Sequence, residues 1–294
     1  MPKALGLDIG GTYIKAGLVD KRGKLYEHKK IPTEAKKGTD KVIENIISIV
    51  ESFDIKDIRA IGVGIPGSVD TSKGVIINTP NLPLHGVDIQ YILKSHFKKK
   101  VKIDNDANCF GIAEAKAGNG KLFPNVLCLT LGTGIGSAMI IKKKLYVGRG
   151  NAPELGHTTI HFKGLPCKCC NPGCVEEYIS TRGLLRIAKN KKIKVKDTLD
   201  LFLLAERHNR KAIKTFEAYG EMLGLVLSNF VNTFDPDVIV LGGQVTGSWR
   251  FFNKSMTREL NKRSFIPACK VVRTDMKEAG VIGAGLLVWC LVII

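Results

Sequence analysis

The chain has 294 residues, 44% of them hydrophobic and 24% charged, a length that suits two domains and a composition that excludes disordered, collagen-like and coiled-coil proteins. No stretch reaches the ~18 to 20 uncharged apolar residues of a membrane span. The N-terminus runs at once into an alternating strand without a cleavable signal, so a cytoplasmic protein with no membrane partner is expected. The formal charge of +18 is mostly lysine, 34 of the 45 basic residues. These lysines lie in short scattered runs without interleaved aromatics, which reads as solvated turns and helix faces and not as a nucleic-acid surface, while favouring an anionic ligand such as ATP.

Leu5-Gly-Leu-Asp8-Ile-Gly10-Gly11-Thr12 followed by Ile14-Lys-Ala-Gly-Leu-Val19 reads as strand, glycine turn and strand, closed by the polar turn Lys21-Arg-Gly-Lys24. Apolar residues three and four apart predict an amphipathic helix over 42–53. A buried strand over 58–65 stops at Pro66-Gly67, and helix 87–97, strand 101–104 and helix 107–117 follow. Strands alternating with helices imply an α/β sheet with parallel pairing. At Leu127-Cys-Leu-Thr-Leu-Gly132-Thr133-Gly134 the opening pattern recurs, with a strand over 135–141 and a basic turn at Lys142. Two glycine hairpins of one shape, in register, point to a duplicated domain. Helices follow near 175–189, over 197–206 and over 210–234, then a third apolar strand ending in Gly242-Gly243. No linker rich in Pro, Gly or Ser is found. A small α/β domain over 1–118 and a larger one over 119–278 are expected, with the uncharged helix 279–294 returning to the first.

Three constellations carry chemistry. The Gly10-Gly11 turn matches neither the P-loop nor the Rossmann fingerprint. A tight glycine hairpin can nevertheless aim backbone N–H groups at phosphate oxygens, and Asp8 at the strand end can hold Mg²⁺ through water. Gly132-Thr133-Gly134 repeats the device, so the pair could clamp a polyphosphate. Ile103-Asp104-Asn105-Asp106-Ala107-Asn108 places two carboxylates and two amides at a strand–helix junction. These supply hydroxyl acceptors and a candidate general base, more than a helix cap requires. The third is Glu154-Leu-Gly156-His157 followed by Cys167-Lys-Cys169-Cys170-Asn-Pro-Gly173-Cys174-Val-Glu176. Thiols this dense favour metal over disulfides, and a His with three thiolates makes a closed structural zinc site. Cys109, Cys128, Cys269 and Cys290 lie singly in apolar contexts and read as small core residues.

With these residues in place the chain resembles the ROK family (repressor, open reading frame, kinase) of sugar kinases, within the actin-like ATPase superfamily. Asp8-Ile-Gly-Gly-Thr12 with Lys15, Ile65-Pro-Gly67, Pro80-Asn81-Leu82, Asn105-Asp106-Ala107-Asn108, Gly132-Thr-Gly134, Glu154-Leu-Gly-His157, the cysteine cluster with Glu176, and Leu241-Gly-Gly243 stand in the family's order. The resemblance implies an α/β fold of two actin-like ATPase (ribonuclease H-like) domains with an interdomain cleft. It implies that Asp8, Gly10, Gly11, Thr12 and Lys15 with Gly132, Thr133 and Gly134 grip the phosphates of ATP and its Mg²⁺, and that Gly242 and Gly243 lie against the adenosine. Asp106 would be the base toward a sugar hydroxyl. Gly67, Asn81, Asn105, Glu154, His157 and Glu176 would hold the rest of the sugar, and His157, Cys167, Cys169 and Cys174 would bind structural Zn²⁺.

Three positions depart from the family's habit: Cys170 and Pro153 stand where glycine is common, and Gln244 where a third glycine is common. Cys170 therefore competes as a zinc ligand. The pairing of Glu154 and His157 with Glu176 resembles the glucokinase branch, so transfer to the 6-hydroxyl of glucose is expected, with mannose, fructose and N-acetylated hexosamines as alternatives. A homodimer or higher homo-oligomer is expected. A sugar-sensing regulator is the reading from another class, disfavoured because Asp8 follows the start after only seven residues, which leaves no room for a preceding helix-turn-helix. A zinc-containing nucleic-acid binder is disfavoured because the second cysteine pair of a ribbon is missing.

Overall fold

The structure is a computed structural model describing residues 2–289. In chain order its elements are β1 (Lys3–Ile9), β2 (Tyr13–Asp20), β3 (Leu25–Pro32), α1 (Thr39–Glu51), β4 (Ile58–Ile65), β5 (Ser68–Asp70), β6 (Val75–Asn78), α2 (Ile89–Phe97), β7 (Lys100–Asn105), α3 (Asp106–Ala117), β8 (Val126–Leu131), β9 (Ile135–Ile141) and β10 (Lys144–Tyr146). They continue with α4 (Glu176–Ile179), α5 (Thr181–Asn190), α6 (Thr198–Glu206), α7 (Arg210–Phe234), β11 (Val238–Gly242), α8 (Trp249–Arg263), β12 (Lys270–Arg273) and α9 (Ala279–Leu287).

Two five-stranded sheets share one strand order, β3-β2-β1-β4-β7 and β10-β9-β8-β11-β12. In the first, β1 runs antiparallel to β2 and parallel to β4, and β4 parallel to β7. In the second, β10 is antiparallel to β9 and β12 parallel to β11. The repeated order makes the α/β fold a duplication, as the two hairpins suggest. The described residues fall into two units, one of 2–128, 138–153 and 275–289, the other of Leu129–Ser137 and Glu154–Thr274. Residues 119–128 and 138–153, which the sequence reading assigns to the larger domain, group with the first unit.

In the first unit, alternate residues of β1 (Leu5, Leu7, Ile9) and β4 (Ile61, Val63, Ile65) form one core with Val42, Ile46 and Ile49 of α1. Each such side chain contributes about 1.5–3 kcal/mol when fully buried. The intervening positions face the other way, as strand periodicity requires. There α9 lies directly on backbone: a Cβ on Gly6 would stand 2.0 Å from the Val281 oxygen and one on Gly62 only 1.8 Å from the Ala284 oxygen. Small residues throughout α9 permit that approach. This explains why α9 is uncharged and rich in glycine. No helix among the described residues is long and apolar enough to cross a membrane; residues 290–294, including Cys290, lie outside the described residues.

The second unit is built around α7, whose Gly220 and Gly224 bring it against the backbone of α8 at Phe252 and Met256. Two expectations are corrected. The helix expected near 175–189 is broken at Ser180, which is extended (φ −76°, ψ 176°), because the Thr181 N–H leaves the helical ladder to donate to the Gly132 carbonyl at 2.8 Å. Cys269 is only half-buried, unlike the buried Cys109 and Cys128, because it lies outside the sheet just before the half-buried strand β12.

Candidate active site and metal centre

In the first unit the site is built on the C-terminal ends of parallel strands, where open α/β sheets present their ligands. Pairing puts Asp8 beside Gly64 and Gly64 beside Asp104 in one row across β1, β4 and β7. The row ends at α3. Asn105 caps this helix, its Oδ1 accepting from the N–H groups of Ala107 (2.8 Å) and Asn108 (3.4 Å), as a helix start demands. Its Nδ2 donates to the Gly67 carbonyl at 2.8 Å. Gly67 has φ +100° and any Cβ there would stand 2.2 Å from the Asn78 oxygen, so glycine is required. Asp106 is the first residue of α3 and its Oδ1 accepts from the Ala107 N–H at 2.8 Å. Burial raises its carboxyl above the ordinary range against those hydrogen bonds, the direction that suits a proton acceptor near neutrality. Asp104, in contrast, is buried in the core, and its Oδ1 accepts from Asn108 Nδ2 at 2.7 Å.

The first hairpin closes through Gly10 N–H to the Tyr13 oxygen, 2.9 Å, and Thr33 Oγ1 donates to the Gly10 carbonyl at 2.6 Å. Thr12 is exposed at its tip. Lys15 pairs in register with Asp8, and its Nζ stands 2.8 Å from Glu278 Oε2. Asp8 lies under the start of α9, where a Cβ on Gly280 would be 2.6 Å from its Oδ2. Burial, then the negative charges of Asp106 and Glu278, push its carboxyl up to about 6 against the opposing Lys15. A cation beside this carboxylate would relieve the cost of its buried charge.

In the second unit, Gly132 N–H closes its turn on the Gly134 oxygen at 3.1 Å, with Thr133 exposed between them. Glu176 Oε2 accepts from the Ile135 N–H at 2.9 Å. Gly242 ends β11 and Gly243 follows it. Gly243 has φ +88° and a Cβ there would stand 2.5 Å from the Leu131 oxygen. Gln244 Nε2 donates to Thr198 Oγ1 at the start of α6, 2.8 Å. Glu154 precedes a short 3-10 turn, Leu155–His157, laid on β9 by the Leu155 N–H to Ser137 Oγ bond at 3.0 Å.

One ligand atom each from His157, Cys167, Cys169 and Cys174 lies within 4.8 Å of the others. His157 Nδ1 is 3.8 Å from Cys167 Sγ, and Cys169 Sγ is 3.5 Å from Cys174 Sγ, against about 3.8 Å for sulfurs 2.3 Å from a tetrahedral zinc. The donor set fits zinc. Burial pushes the Cys174 thiol up to about 12, a cost that the charge of a coordinated cation removes. Nδ1 faces the thiols, so Nε2 is the nitrogen left over. Cys170 is exposed and has φ +71°, the left-handed region that favours glycine; it stands outside the four-ligand set.

Sequence reasoning missed Thr33, Arg182 and Glu278. None has a local signal: Glu278 is 263 positions from Lys15, and Arg182 is one basic residue among many.

The chain belongs to the ROK family, whose model matches residues 4–289. It is 29% identical over 307 residues to a glucokinase of Thermotoga maritima, covering 97% of both chains. It is 32% identical over 270 residues to a xylose repressor of Bacillus spizizenii, covering 89% of this chain and 69% of the repressor. Among solved structures, a ROK family glucokinase from Streptomyces griseus in complex with glucose and AMPPNP superimposes with a TM-score of 0.84 at 29% identity, over 97% of this chain and 98% of that one. The fold is thus that of two actin-like ATPase domains.

Proposed function

We propose that the chain is an ATP-dependent sugar kinase that phosphorylates the 6-hydroxyl of a hexose, with glucose as the preferred acceptor. The observation that carries the reading is Asp106, a carboxyl raised by burial and fixed at the junction of β7 and α3 beside the Asn105–Gly67 bond. In this reading the Asp106 carboxylate takes the proton of the attacking hydroxyl as it moves in line toward the γ-phosphorus. Asn81, Asn105, Glu154, His157 through Nε2, and Glu176 orient the sugar; the backbone at Gly67 bounds it. N–H groups of the two glycine hairpins, the Thr12 and Thr133 hydroxyls and Lys15 neutralise the phosphates, and Gly242 and Gly243 receive the nucleoside. Asp8 would hold Mg²⁺, which would supply charge neutralisation to the phosphates, and His157, Cys167, Cys169 and Cys174 would hold a structural Zn²⁺. Such catalysis is positioning and electrostatics, with general-base help of about 10²- to 10⁴-fold.

Likeness to a xylose repressor favours a second reading, a sugar sensor without turnover. A coupled assay over a panel of hexoses, with ATP, ADP and polyphosphate as donors, separates the two. Turnover fastest with glucose and ATP is expected. Sugar binding without turnover on any donor would favour the sensor.

A further inference from the structure

Both oxygens of Glu176 are engaged by the protein. Oε2 accepts from the Ile135 N–H of the second hairpin at 2.9 Å, and Oε1 accepts from Arg182 Nη2 at 2.9 Å. The same Nη2 donates to Glu177 Oε1 at 2.8 Å. Cys167 Sγ lies within 4.8 Å of carboxylate oxygens of both glutamates. Two carboxylates therefore crowd one place, and their mutual repulsion would swing Glu176 away from Ile135 unless a cation bridges them. Arg182 is that bridge. Arg186 serves Glu177 alone, donating to its carbonyl and standing 3.6 Å from its Oε2. Each oxygen of Glu176 has a second lone pair for a hydroxyl. The turn closes onto the carboxylate because position 134 is glycine; a Cβ there would stand 2.8 Å from Oε2.

We propose that Arg182 is a positioning residue, holding Glu176 as a strut between the sugar and the second glycine hairpin, so that sugar and nucleotide strengthen each other's binding through this one carboxylate. The inference rests on the roles proposed above for Glu176 and the hairpin. A hydroxyl seated on Glu176 fixes the carboxylate, the carboxylate fixes the Ile135 N–H, and the turn amides are thereby set for phosphate. By linkage the effect is reciprocal.

The test is calorimetric titration of the full, zinc-loaded chain with AMP-PNP, with and without saturating glucose, or whichever hexose the panel gives as the best acceptor. Sugar should tighten AMP-PNP binding by about five-fold or more in the wild type, the ordinary scale of such coupling, and by less than about two-fold in Arg182→Met. Arg182→Lys should restore part of the coupling. Arg186→Met, which removes a comparable ion pair from Glu177 only, should retain all of it. Melting temperature and zinc content, expected to match between Arg182→Met and Arg186→Met, report folding separately. Equal coupling in wild type and Arg182→Met, including none in both, overturns the inference while a wild type that phosphorylates sugar leaves the kinase reading standing. No turnover with any hexose overturns both.

Discussion

Gly11 is seated on Asn81: a Cβ at position 11 would stand 3.1 Å from the Asn81 Cβ and 3.3 Å from its carbonyl oxygen. The second unit repeats the arrangement with Gly134 and Glu176. Each hairpin proposed for phosphate thus rests on a residue proposed for the sugar. Gly11→Val should raise the Michaelis constant for ATP and also weaken sugar binding measured without nucleotide. Read as a phosphate turn alone, the hairpin would leave sugar affinity untouched. Calorimetry showing unchanged glucose binding in a folded variant would remove the Asn81 contact from the account.

Cys170→Gly should keep the metal and stabilise the chain. Its φ of +71° costs an L-residue with a Cβ roughly 1–2 kcal/mol that glycine does not incur. A higher denaturation midpoint with metal content unchanged is expected. Loss of about one metal per chain would instead make Cys170 a ligand.

Exhaustive chelation should lower thermal stability and activity together. Zinc on the proposed ligands would tie the Leu155–His157 turn to the segment that carries Glu176, so metal binding would add to folding free energy, by less than the ~10 kcal/mol of small zinc domains. Active, equally stable enzyme free of zinc would contradict the assignment.

The central strands of the duplicated sheet were legible in the sequence because they are buried on both faces. Ile58–Ile65 and Arg210–Phe234 have the predicted bounds, since continuous apolar runs and helical periodicity survive without context. Leu25–Pro32 was not foreseen because it is an edge strand carrying Tyr26, Glu27 and His28 to solvent, so no apolar alternation marks it. The split at Ser180 was invisible for another reason: the bond from Thr181 to Gly132 that causes it joins residues 49 positions apart. Motif residues such as Asp106 and His157 stood out by type and spacing. Arg182 acquires meaning only from the carboxylates the fold brings to it.

Asp8 should make the nucleotide-free protein's stability fall with rising pH through its own contribution. Its folded carboxyl sits at about 6 against an ordinary 3.8, so the folded state holds the proton more tightly. That contribution is fully present below the ordinary value and is lost as pH rises through about 6, the sign linkage demands for a raised acid. Urea unfolding of wild type and Asp8→Asn across this window should show the variant gaining relative stability as pH increases. A constant difference between the two would place the Asp8 carboxyl outside the buried cluster.

Asp106→Asn should separate chemistry from binding. The amide keeps the shape and an oxygen that can accept the Ala107 N–H, now bonded to Oδ1 at 2.8 Å, but it cannot accept the hydroxyl proton. Turnover should fall by about 100-fold or more, the scale of a general base, while glucose affinity without ATP changes far less, because Asn81, Asn105, Glu154, His157 and Glu176 are untouched. Asp104 supplies the comparison. It is two residues away and is also raised by burial, yet its Oδ1 is taken by the Asn105 N–H and Asn108 Nδ2, each at 2.7 Å, inside the core. Asp104→Asn should therefore alter stability more than turnover, with activity within about ten-fold of wild type, below the range expected for losing a base. Near-normal turnover in Asp106→Asn, or a collapse in a folded Asp104→Asn, would move the base to another residue.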